Sequence, residues 1–178
     1  MPGIRVTSDE RVALRTCEEE DIPFRQRSVE PEIRRLLGNP VRTQDQFSDL
    51  SKEGTDRFIV SREETKTAPS QADEDDIEPI GLIRISDVNY KRPELGYWLI
   101  PEVHGEGYGN ESVSLAIDYV FDEYDTQAVG AKTFDFNDAS RGLLESLGFR
   151  EEGCLRKFRF VNGNHHDMIC YGLLRSEW

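Results

Sequence analysis

Between Glu94 and Glu111 the chain reads Glu94-Leu95-Gly96-Tyr97-Trp98-Leu99-Ile100-Pro101-Glu102-Val103-His104-Gly105-Glu106-Gly107-Tyr108-Gly109-Asn110-Glu111. An apolar, aromatic-rich strand stops at Pro101, a loop with glycines at alternate positions follows, and an amphipathic helix opens at once. Alternate glycines let a backbone approach a ligand closely. A helix start adds unpaired N–H groups and a partial positive charge. The combination reads as a cradle for a diphosphate, although a tight turn without a ligand would have the same spacing. No Gly-Lys-Ser/Thr follows, which excludes a P-loop, and Asn110 stands where a dinucleotide fingerprint has its third glycine.

The rest of the chain arranges itself around this stretch. Arg11 to Arg15 alternates and predicts a first strand; acidic Glu18 to Asp21 suits a helix start. Ile22 to Leu37 is helical in pattern but interrupted by Pro23 and Pro31, so two short helices with a bend are expected, ending at Gly38-Asn39-Pro40. A further helix is expected from Gln44 to Lys52. Strands are predicted over Asp56 to Arg62 and Pro79 to Val88. The polar, acidic segment 63–78 between them buries too little apolar surface to offset its ordering entropy and is expected to be a mobile hairpin loop.

After the glycine loop, Val113, Ala116, Ile117, Val120, Phe121 and Tyr124 give one apolar helical face. Gln127 to Phe136 predicts a strand, and Ala139 to Leu147 a short helix closed by Gly148. Phe149 begins another extended segment. Leu155 to Val161 and Asp167 to Leu174 then flank the turn signal Asn162-Gly163-Asn164. The order predicts a mixed α/β (α+β) sheet of about seven strands rather than a doubly wound parallel one.

A chain of 178 residues is expected to form one domain over 1–178, burying roughly 70% of its unfolded surface. Cys17, Cys154 and Cys170 are far apart with no Cys-x-x-Cys pair, so neither a disulfide framework nor a zinc site is indicated. With no apolar run of membrane-spanning length and no visible signal, a cytoplasmic protein without a membrane partner is expected, as monomer or homodimer. The net charge of −13 argues against direct nucleic-acid binding. It suits either a salt-adapted surface or attraction of a cationic substrate such as a polyamine. The pair His165-His166 suggests a metal, but adjacent strand residues face opposite ways, so no metal is expected.

Several of these pieces together resemble the GNAT superfamily of N-acetyltransferases. His104-Gly105-Glu106-Gly107-Tyr108-Gly109 resembles its Q/R-x-x-G-x-G/A acetyl-CoA motif, and Glu94 to Leu99 its fourth strand. Asn137-Asp138-Ala139-Ser140 is similar to its N-x-A-S segment. Leu143 to Phe149 with Glu152-Gly153 resembles its L-x-x-L-G-F-x-x-E-G run, and Tyr171 to Trp178 completes the pattern. The resemblance covers roughly Val12 to Trp178 and is nearest the Rim-type branch, which acetylates the N-termini of ribosomal proteins.

The resemblance implies a splayed, mostly antiparallel central sheet flanked by helices, with acetyl-CoA as co-substrate. Backbone near Leu99, Ile100, Pro101 and Val103 would pair with the pantetheine arm. The amides of His104, Gly105, Glu106, Gly107, Tyr108, Gly109 and Asn110 would take the pyrophosphate. Asn137 would hydrogen-bond the pantetheine or cap the following helix, and Ser140 would sit near the thioester sulfur. Two residues depart from the pattern. His104 replaces Gln or Arg, and Glu106 adds a negative charge costing about 0.6 kcal/mol per charge pair at ~7 Å in water.

Acetyl transfer needs a neutral amine, donors for the oxyanion and a proton for the thiolate. Glu94 is the candidate base, Ser140 the candidate acid and Tyr97 its alternative on the opposite strand face. An amide near Ile100 is placed to polarise the carbonyl, and Glu152 and Arg156 to line the amine site. An α-amine with pKa ~7.7–8.0 needs only about 1 kcal/mol to deprotonate at pH 7, against nearly 5 for a lysine. The acceptor is expected to be an amine, with a protein N-terminus first among the candidates. A small amine (polyamine or antibiotic) and a catalytically silent CoA-binding module are the other readings.

Overall fold

A computed structural model describes residues 3–48, 54–63, 77–89 and 92–178. Eight strands form one sheet in the order β1-β2-β3-β4-β5-β6-β8-β7. They are β1 (Arg5–Ser8), β2 (Val12–Thr16), β3 (Thr55–Glu63), β4 (Ile77–Ser86), β5 (Glu94–Leu99), β6 (Ala128–Phe134), β7 (Arg150–Val161) and β8 (Asn164–Leu174). Every neighbouring pair is antiparallel except β5 and β6. The strand beyond the seven expected is β1, a four-residue edge whose half-exposed alternation is too short to stand out as a pattern.

Five helices accompany the sheet: α1 (Ile22–Gln26), α2 (Pro31–Leu37), α3 (Gln44–Ser48), α4 (Tyr108–Glu123) and α5 (Asp138–Ser146). The prolines act as expected, each at the start of a helix where its missing N–H is not needed. Gly38 closes α2 in the left-handed conformation at φ 63°. The end of the helix expected to reach Lys52 lies outside the described residues. So does the interior of the expected acidic loop, whose outermost residues Glu63, Ile77 and Glu78 are strand.

Helix α4 buries Val113, Ala116, Ile117, Val120 and Phe121 as the three- and four-residue spacing predicts, and Leu115 besides, whereas Tyr124 falls just past its end and is only half-buried. Those side chains join Val12, Leu14, Val60, Ile80, Ile83, Ile85, Leu95, Leu144 and Leu173 in one core. Arg175 fastens the far end of α4. Its guanidinium donates to the carbonyls of Phe121, Tyr124 and Thr126 at 2.7–2.8 Å, satisfying acceptors a helix C-terminus leaves open. The C-terminal hairpin turns on Asn162 and Gly163, both at positive φ, as a two-residue turn of this twist requires.

One departure from regular pairing matters for everything below. Strands β5 and β6 pair only at Glu94–Gly130 and Leu95–Ala131, and past Leu95 they separate. On its other side β5 stays paired with β4 up to Gly81–Leu99, and the Ile100 N–H continues the ladder to Ile80 O at 2.8 Å. Gly81 makes that closeness possible, since a Cβ there would lie 2.5 Å from the Trp98 carbonyl oxygen. Substituting Gly81→Ala is therefore expected to cost about 1–3 kcal/mol in urea unfolding, because the obstructing atom is backbone.

Candidate functional site

The gap between β5 and β6 exposes backbone. In an antiparallel ladder successive residues point their amide groups to opposite sides. With Ile100 directed at β4, the peptide groups of Tyr97 and Leu99 face the gap. Ile100, the expected donor to the substrate carbonyl, has already spent its N–H on Ile80, which leaves that position to its neighbours. The Leu99 carbonyl is engaged by the His104 ring at 3.1 Å. His104 thus folds back on the strand end, past the single turn Pro101–Val103 that buries Val103.

The glycine loop has the geometry its composition suggests. Gly105 and Gly107 sit at φ 82° and 90°, a region other residues rarely enter, and a Cβ at Gly105 would meet no atom within 4 Å. Tyr108 is buried as the first residue of α4, behind the N-cap Gly107. Gly109 lies against Leu143, and Asn110 Nδ2 donates to Ser146 Oγ at 3.2 Å, so the loop ends where α4 meets α5.

Arg11, one hundred residues from its partner in sequence, reaches this loop. It donates through Nε to Glu111 at 3.0 Å and through Nη2 to the Glu106 carbonyl at 3.0 Å, and stacks over the Tyr108 ring at 4.6 Å. Arg62 pairs with Glu78, and Tyr108 beside it helps to hold its pKa above the ordinary value. The charge of Glu106 therefore does not act alone, as sequence reading had it. No local signal marks Arg11 or Arg62; only the sheet brings them here.

At the other end of the gap, α5 begins. Asn137 caps it, accepting the Ser140 N–H at 3.2 Å. The Ser140 hydroxyl is 2.9 Å from the Tyr97 hydroxyl. Burial pushes the Tyr97 phenol up to about 12, against a smaller opposing effect of Ser140. Tyr97 is therefore protonated across the neutral range and available as a donor.

Glu94 stands on the opposite face of β5 from Tyr97 and is held by Lys132 at 2.5 Å. Both carboxylate and phenol border one cleft of about 520 Å³, lined also by α1 to α3, β4, β6 and the tip of β7. Glu152 and Arg156, expected to line the amine site, do not border it. Glu152 is instead paired with Arg92 at 2.6 Å, and the β7 residues at the cleft are Phe158 and Arg159. The two hairpin histidines go separate ways, His165 against Phe160 and His166 against Phe136 and Asp135. Among the described residues no three His, Cys, Asp or Glu side chains form a group that could hold a metal ion.

Residues 11–150, which hold the splayed parallel pair, the glycine loop and the Asn137 cap, match the acetyltransferase (GNAT) domain. The chain belongs to this family. A Bacillus subtilis protein provisionally named ribosomal N-acetyltransferase YdaF is 37% identical over 99 residues, 56% of this chain and 54% of that one. The ribosomal protein uS5-alanine N-acetyltransferase of Escherichia coli is 28% identical over 109 residues, 60% of this chain and 56% of its own. The chain thus spans somewhat over half the length of such curated relatives. Among solved structures, spermidine N-acetyltransferase from Vibrio cholerae with CoA and spermine superposes with TM-score 0.82. At 22% identity, it covers 95% of this chain and 98% of that one. The mixed sheet and its splay are those of the GNAT fold. No helix among the described residues is long and apolar enough to cross a membrane.

Arg11 gives the loop a specific test. Arg11→Met should weaken CoA binding about three- to tenfold by calorimetry, because Glu111 is left uncompensated beside the loop. The melting temperature should hardly move, since so exposed an ion pair is screened by solvent.

Proposed function

We propose that the protein is an acetyl-CoA-dependent N-acetyltransferase whose acceptor is an N-terminal α-amine. The observation that carries this reading is the gap beyond Leu95, with open peptide groups of β5 on one rim and the Tyr97 hydroxyl joined across it to Ser140 of α5. The pantetheine arm enters that gap as an added strand, hydrogen-bonded by the Tyr97 N–H and carbonyl, the Leu99 N–H and Asn137. The pyrophosphate lies over Gly105 to Asn110, at the N-terminus of α4. The acceptor comes from the cleft side.

The amine attacks the thioester carbonyl, a C–N bond forms, and the tetrahedral oxyanion is held by a backbone N–H facing the gap. Collapse breaks the C–S bond. Tyr97 and Ser140 then donate to the departing sulfur. A phenol near pKa 12 would lose a full proton to a thiolate near ~8.5 only at a cost of about 5 kcal/mol, so the pair acts as hydrogen-bond donor. The proton that finally neutralises the thiolate comes from the attacking nitrogen.

The substrate class follows from what the cleft lacks. Among its described lining residues there is no histidine, and Glu94, already paired with Lys132, is the one carboxylate. Such a site suits an amine that needs about 1 kcal/mol of deprotonation rather than nearly 5. Relatives named for ribosomal-protein alanine acetylation agree with this choice. The spermine-bound neighbour in the fold offers the second reading, a polyamine.

Incubation with acetyl-CoA and either N-terminal peptides or spermidine, following free thiol, decides between them. Thiol release with peptides is expected, with kcat/KM rising through pH 7–8 and levelling near ~8.5 as the α-amine deprotonates. A rise continuing toward pH 10, or turnover of spermidine alone, would exclude an α-amine. Ser140→Ala should lower kcat roughly 100-fold while leaving CoA affinity within about twofold.

A further inference from the structure

The cleft on the acceptor side carries charge opposite to that of the whole chain. Against an overall −13, its lining includes Arg25, Arg42, Arg57, Arg84, Lys132 and Arg159, with Glu94 as the single acid among the described residues. Lys132 and Glu94 neutralise each other at 2.5 Å. Arg84 lies across Gly96, its Nη2 3.5 Å from where a Cβ would stand, on the β5 face that carries Glu94 and Trp98.

Arg25 is the informative member. It sits on α1, which is docked on the sheet by Phe24 stacking on Trp98 at 5.4 Å. The residue is only 6% exposed, its guanidinium lies 5.9 Å from the Phe47 ring, and its buried Nη1 has no hydrogen-bond partner among the described residues. Asp21, whose charge reaches Arg25, directs its carboxylate to the Glu18 amide at 2.8 Å instead. A buried cationic donor left unmatched is costly, and the cleft it borders is where a match would come from.

We propose that this cleft selects acceptors with acidic residues directly after the reactive N-terminus, with Arg25 taking one of their carboxylates. The inference rests on the α-amine reading above and names the peptide class. The same field would repel a polyamine, whose positive charges would face the unmatched guanidinium of Arg25. Overall acidity, which suits either a salt-adapted surface or a cationic substrate, does not describe the cleft.

The test is titration calorimetry on the protein saturated with CoA, using four probes. They are a short peptide with two acidic residues after its first, its amide isostere, its lysine counterpart, and spermidine. The acidic peptide should bind at least about tenfold more tightly than the isostere at 0.1 M salt, with the advantage shrinking at higher salt. Arg25→Met should cut that advantage below about threefold, leave CoA affinity unchanged, and leave the melting temperature equal or higher, because it removes an unmet buried donor. Arg25→Lys should restore part of the preference.

Equal binding of acidic and amide peptides, tighter binding of the lysine peptide or spermidine, or undiminished preference in Arg25→Met would each overturn the proposal. Loss of CoA affinity in Arg25→Met would also overturn it, by assigning the cation to the coenzyme. Parallel thiol-release assays separate the two readings. Acidic peptides that bind selectively without releasing thiol would sink the transfer reading alone; indiscriminate acetylation of peptides would sink only the acidic preference.

Discussion

A parallel strand pair that ends after two residues is the constraint on which the site depends. Parallel strands need a crossover, and here α4 supplies it between β5 and β6. The crossover ties the strands at Glu94–Gly130 and Leu95–Ala131 but does not oblige them to stay together. On their outer sides both are held by long antiparallel ladders, β5 by β4 and β6 by β8. A sheet edge is opened in the middle of a sheet, where its unpaired peptide groups are shielded from the strand addition that threatens an outer edge.

Around that opening the polar groups divide by face. Along β5, Tyr97 with Ser140 lies on one face and Glu94 with Lys132 on the other, and both pairs border the one cleft that the arginines also line. Strand alternation alone accounts for the division within β5, since Tyr97 and Glu94 are an odd number of residues apart. The chemistry proposed requires such a division. In that proposal the coenzyme and the acceptor would approach from opposite sides of one layer, and their reacting atoms would meet in the gap.

Much of this was legible in the chain because its cause is local. The alternation of β2 and β3, the stripe of α4, the prolines opening α1 and α2, and the Asn162-Gly163 turn each follow from one side chain's size or one backbone angle. Leu143 to Phe149 and the glycine loop carried the family pattern for the same reason. What reading by position misplaced were Glu152 and Arg156, which proximity to the last hairpin put at the amine site. Glu152 instead points to Arg92, sixty residues away. Likewise β1 is a strand only because Val12–Thr16 lies beside it.

The sequence by itself determined the fold family and the strand–glycine loop–helix stretch, because the three are contiguous and each depends on its own backbone. Only the tertiary structure decided the electrostatics. Arg11 beside Glu106 and Glu111, and arginines from α1, β3, β4 and β7 around one cleft, come from segments far apart in the chain. Coulomb interaction depends on distance in space and composition averages over the whole surface, so a chain of net charge −13 can build a cationic cleft that no count of its residues reveals.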